Sequence, residues 1–111
     1  MIRPIKLTDD SGKEYVLEFD RESVKWAESR GFIIGDVEKF PLTKVYELFW
    51  YAFRKNHKNV SKAETDAMLD ELGGVTNLPE GLLERLAELY VAPFSTLAEG
   101  EERKNAIKVE L

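Results

Sequence analysis

The sequence predicts an α+β fold, an N-terminal antiparallel β-hairpin packed on a predominantly helical bundle of about four helices. Three observations carry that reading. Near the N-terminus, Ile5 and Leu7 alternate with Lys6 and Thr8, and Tyr15, Leu17 and Phe19 alternate with Val16 and Glu18. This period of two belongs to half-buried strands. From Thr43 to His57 the chain reads TKVYELFWYAFRKNH, and Val45, Leu48, Phe49, Ala52 and Phe53 recur at helical spacing as one apolar stripe. Two more segments with helical spacing follow, the first closed by Gly73-Gly74.

Asp9-Asp10-Ser11-Gly12 supplies the turn between the two strands, and Pro4 limits pairing near their start. A lone hairpin is marginal in water, so its apolar face must rest on the helices. Asp20 stands at an N-cap position, and the helix it opens should stop at Gly31. Phe32-Ile33-Ile34 reads as an extended run or a turn. Residues 35–40 read as one helical turn closed before Pro41. Thr43 is expected to cap the central helix, with Arg54, Lys55, His57 and Lys58 at its C-terminal dipole. Ser61-Lys62-Ala63-Glu64 has the capping-box pattern and opens a helix through Leu72 carrying Met68 and Leu69. The last long helix is expected to start at Asn77-Leu78-Pro79-Glu80. Leu83, Leu86, Ala87, Tyr90 and Phe94 form its stripe, Leu82 and Leu89 a second flank, and Pro93 its kink or end. Residues 1–98 thus form a single α+β domain. Residues 99–111 form a charged C-terminal tail, either mobile or, through Ile107, Val109 and Leu111, a late β-strand.

The 111 residues include 16 basic and 21 acidic side chains, a net charge of −5, with one histidine and no cysteine. That balance disfavours a uniform polyanion-binding surface, and the missing thiols exclude disulfides and thiolate metal sites. No apolar run approaches the roughly 18 residues of a membrane span, and the N-terminus lacks a signal-peptide pattern. A cytoplasmic protein with no membrane partner is the expectation.

Reaction chemistry is hard to assemble from these residues. His57 is the only histidine. Among Arg54, Lys55 and Lys58 it reads as a solvated residue at a helix end. Glu64, Asp66, Asp70 and Glu71 lack the glycine-centred spacing of a calcium loop and read as a solvated face. Arg54, Lys55, Lys58 and Lys62 form a basic patch, but Gly73-Gly74 does not space a helix-turn-helix. No catalytic, cofactor-binding or metal-ligating residue is therefore assigned. Phe49 and Phe53 read as core. Trp26, on a helix with little other apolar surface, and Trp50, flanking the main stripe, read as interface residues together with Tyr46, Tyr51 and Phe94.

The passages EYVLEFD, VKWAESRGF and LTKVYELFWYAFRKNHKNVSKAETDAMLDELGG, with the leucine-rich last helix, resemble the small tail assembly chaperones of long-tailed phages and prophages of Gram-positive bacteria. The resemblance runs from Lys6 to Tyr90. It implies a non-enzymatic protein that coats the tape measure protein before tail tube subunits polymerise, and that is absent from the finished virion. It also implies a longer, frameshifted form that recruits the tail tube protein. Self-association would fit the same role. A structural head–tail connector or other morphogenesis protein is the alternative, and a small DNA-binding regulator a third reading.

Overall fold

The computed structural model describes residues 2–94 and Glu110. The tail at 99–111, with its alternative reading as a late strand, lies outside the described residues apart from Glu110, which is exposed.

The predicted α+β architecture is present. Strands β1 (Ile5–Thr8) and β2 (Glu14–Leu17) pair antiparallel, with Ile5 opposite Leu17 and Leu7 opposite Tyr15. The Asp9 carboxylate organises their turn. Its Oδ1 accepts from the Ser11 amide at 2.9 Å, the Ser11 hydroxyl at 2.8 Å and the Lys13 amide at 2.9 Å. These bonds, the Ser11 hydroxyl first, hold the carboxyl below its ordinary range.

Helix α1 (Arg21–Ser29) starts at the expected Asp20 and carries a full capping box. Asp20 Oδ1 accepts from the Ser23 amide at 2.8 Å, and Ser23 Oγ accepts from the Asp20 amide at 2.9 Å. It ends at Gly31, whose φ of 94° lets Phe32 donate back to the Ala27 carbonyl and Gly31 to that of Glu28. Phe32, the residue thrown inward by that reversal, is buried, and Ile33 beside it is exposed. The short helix α2 (Asp36–Lys39) follows as expected.

The central helix α3 spans Pro41–Tyr51, which corrects the sequence reading at both ends. Pro41, not the residue after a Thr43 cap, opens it, because proline at the first position needs no amide hydrogen and already has a helical φ. At the other end the chain leaves the helix at Ala52 and winds through tight turns to His57 instead of continuing helically. The cause is tertiary. These turns let the Ala52 carbonyl accept from the Glu18 amide at 3.1 Å and bring Asn56 and His57 to β2. The predicted stripe holds throughout, since Val45, Leu48, Phe49, Ala52 and Phe53 are all buried. Full burial of each larger member contributes about 2 kcal/mol.

Helix α4 (Lys62–Glu71) has the expected Ser61–Glu64 capping box. It buries Leu69, while Met68 and Leu72 are half-buried at the margin of the core. Gly73 ends it, and any side chain there would strike the Asn77 carbonyl 2.2 Å from a Cβ. The segment from Val75 to Asn77 is a single 3₁₀ turn. Helix α5 (Leu82–Val91) begins later than the sequence suggests. Leu82 first closes a turn onto the Pro79 carbonyl at 3.2 Å, with Gly81 at a left-handed φ of 85°. Its buried face is Leu86, Leu89 and Tyr90, with Leu83 and Ala87 half-buried. Pro93 ends it in a 3₁₀ turn, Ala92–Phe94.

Helix α3 touches every other helix and unites the core. Edge-to-face ring pairs tie the layers together: Phe49–Phe53 at 5.2 Å, Phe19–Tyr90 at 5.0 Å and Phe32–Tyr51 at 5.2 Å. The Tyr90 hydroxyl is buried without a hydrogen-bond partner among the described residues, and burial pushes it up to about 12. No described helix is long and apolar enough to cross a membrane.

Candidate functional site

Two tryptophans on different helices meet at the surface. Trp26 projects from α1 and Trp50 from the last turn of α3, their rings edge-to-face at 5.5 Å. Each is only half-buried. Trp50 is fixed in orientation, because its indole N–H donates to the Val60 carbonyl at 3.2 Å.

Two guanidinium groups cover the indoles. Arg54 lies 4.2 Å from the Trp26 ring centre, and Arg30 lies 5.0 Å from that ring and 5.3 Å from the ring of Trp50. A guanidinium lying over an electron-rich ring is attracted to it while its N–H groups stay available to donate. Neither arginine has a carboxylate within ion-pair distance among the described residues. The four side chains border a groove of about 470 Å³ that also receives Lys58 and Val60. A second groove of about 520 Å³ lies across the Arg30–Trp50 ridge and receives Lys44, Glu47 and Lys62. Lys44 pairs with Glu47 at 3.2 Å and Lys62 with Asp66 at 3.0 Å, so uncompensated charge concentrates in the first groove.

The five residues singled out from sequence separate into three places. Trp26, Trp50 and Tyr51 come together, with Tyr51 5.1 Å from Trp50. Tyr51 is 4% exposed, however, so it supports the tryptophans from beneath and offers a partner little surface. Tyr46 lies on the side of α3 that faces α4, where its hydroxyl donates to Asp70. That bond holds the phenol above its ordinary range. Phe94 is distant in role, half-exposed at the end of the last 3₁₀ turn beneath the Arg21 guanidinium at 4.9 Å.

The basic patch read from sequence is divided. Arg54 and Lys58 enter the first groove and Lys62 the second, but Lys55 turns to the hairpin and pairs with Glu18 at 3.0 Å. Asn56 and then Lys55 hold the Glu18 carboxyl below its usual range. The acidic run is likewise dispersed, Asp66 to Lys62 and Asp70 to Tyr46. Among the described residues no group of three metal-ligating side chains converges.

His57 departs most from its sequence reading. It is not a solvated residue on a helix end, because the helix has already finished. Its Nε2 accepts from the Val16 amide at 2.9 Å, and its ring lies 5.1 Å from Tyr15. Burial, with a smaller contribution from Lys13, lowers its pKa below the ordinary value.

A family model described as Domain of unknown function (DUF5055) matches residues 1–111, the whole chain. The chain belongs to that family. No curated protein and no solved structure matches it. In this DUF5055 chain the residue that sequence reasoning missed is Arg30, and the role it misjudged is that of Arg54. A signal was available. Trp26 and Arg30 stand four apart, a spacing that on a helix places the two on one face, whereas Arg54, four after Trp50 but past the end of α3, lies over Trp26 instead.

Proposed function

We propose that this chain is a non-enzymatic assembly chaperone that binds the tape measure protein of a long-tailed phage or prophage in the host cytoplasm. The observation that carries the binding role is the half-buried Trp26–Trp50 pair, fixed in place and opening on a groove. Tryptophan and arginine are the side chains that most often dominate binding energy at protein interfaces. The resemblance of the Leu17–Trp26 and Leu48–His57 passages to tail assembly chaperones supplies the identity of the partner. Exposed Ile33, Phe40 and Leu42 around α2 add apolar surface suited to a long helical partner or to a second copy. Many copies along one extended chain would bind by avidity even where each contact is weak. A longer, frameshifted form would add the link to the tail tube protein.

Co-expression with the long, helix-rich protein encoded just downstream tests this. The expected result is a soluble complex holding several copies of this chain per partner, with none of the chain retained in purified virions. An insoluble partner, together with this chain present in virions, would instead mark a head–tail connector.

A further inference from the structure

We infer that the Trp–Arg groove recognises carboxylates, and that the segment of partner it takes is acidic. This rests on the protein-binding reading above and names the chemistry of the partner. Arg30 and Arg54 are unusual among the cations of this surface. Lys44, Lys55 and Lys62 each have a carboxylate within 3.2 Å, whereas neither arginine has one among the described residues. Both are immobilised on indole rings at 4.2 to 5.3 Å, which removes much of the side-chain entropy that weakens exposed ion pairs. A guanidinium resting on a ring with no carboxylate partner keeps its N–H fork to offer, and a carboxylate accepts that fork in bidentate fashion. Lys58 lies in the same groove, and no aspartate or glutamate lines it. On a chain of net charge −5, this concentration of unpaired cations is a local inversion of sign.

Nucleic acid is the competing polyanion, and the geometry disfavours it. Single strands bind non-specific grooves by stacking bases on open aromatic faces. Here the Trp26 ring is already met by both guanidinium groups and packs edge-to-face with Trp50 and Tyr51. The overall negative charge repels a long phosphate backbone, while a short acidic segment feels mainly the local field.

Both tryptophans of the chain sit in this groove, so their intrinsic fluorescence reports its occupancy directly. The full chain is titrated with three probes at low salt: a glutamate-rich amphipathic peptide, the same peptide with glutamine for glutamate, and a single-stranded oligonucleotide of equal length. The glutamate peptide is expected to change the emission and to bind about tenfold tighter than the glutamine peptide, with Arg30→Gln and Arg54→Gln each removing most of that difference. Arg85→Gln, outside this groove and donating to the Arg3 carbonyl, should bind as the parent does. Equal binding of the two peptides, tighter binding of the oligonucleotide, or full binding by the Arg30→Gln, Arg54→Gln double variant that keeps the parental circular dichroism would each overturn the inference. The two readings fail separately. A double variant that still solubilises the downstream protein sinks only the carboxylate inference. A parent chain that binds the acidic peptide but not that protein sinks only the tail-assembly reading.

Discussion

At the scale of single residues, His57 does work that its position in the sequence does not announce. A neutral imidazole accepts the Val16 amide, whereas an imidazolium has no lone pair to offer. The folded-state pKa lies below the ordinary 6.5, so between those two values the unfolded chain binds more protons than the folded one. Stability is therefore complete above the ordinary value and falls as pH drops through that window. Chemical denaturation from pH 7.5 downward is expected to give a level plateau and then a decline beginning near 6.5. His57→Asn should flatten that decline, leaving only the carboxylate losses at lower pH. An unaltered decline in the variant would assign it to other groups. The same residue shows why single-residue roles were only half legible. Trp26 and Trp50 stood out by composition, but a histidine's acceptor bond to a strand 41 positions away leaves no local trace.

At the scale of elements, local chemistry was well legible and tertiary chemistry was not. The hairpin turn and both capping boxes follow from side chains within four residues of the groups they satisfy, so Asp9, Asp20 and Ser61 could be placed by inspection. The box at α1 was only half seen, because Ser23 stands where the usual pattern has glutamate or glutamine. Where α3 ends could not be read locally, since the apolar spacing continues through Phe53 while the Ala52 carbonyl turns away to Glu18. Capping energetics give a direct test. Ser61→Ala removes the acceptor for the Glu64 amide, at 3.1 Å, and the helix end it leaves is exposed. The expected loss is about 1 kcal/mol in urea denaturation, with the fold unchanged. A loss near zero would mean that solvent serves that helix end as well as the serine does.

At the scale of the whole molecule, α3 organises the fold, because it packs on α1, α2, α4 and α5 and its stripe continues to Phe53, which meets Tyr15 of the hairpin. Removing any neighbour exposes part of that stripe, which couples the elements into one cooperative unit. Native-state hydrogen exchange is expected to find the slowest amides in α3, between Val45 and Tyr51, opening only with global unfolding. The hairpin turn at Asp9–Lys13 should exchange fastest among the hydrogen-bonded amides of the hairpin. Slowest protection in α5 instead would move the cooperative centre away from α3.

The turns after α3 have one more effect, on how copies of this chain can meet through their sheets. At Val16 the outward-pointing groups of β2 are taken, its N–H by His57 and its C=O by Asn56, and just past the strand Ala52 accepts the Glu18 N–H. Lys6, opposite Val16 in register, directs its amide and carbonyl the other way, to the outer side of β1. Sheet growth is therefore one-sided. Two molecules joining edge to edge would do so through β1, and the resulting four-stranded sheet would be bordered on each flank by a β2 already covered at Val16. Such pairing terminates at a closed two-fold dimer and cannot propagate into a fibre.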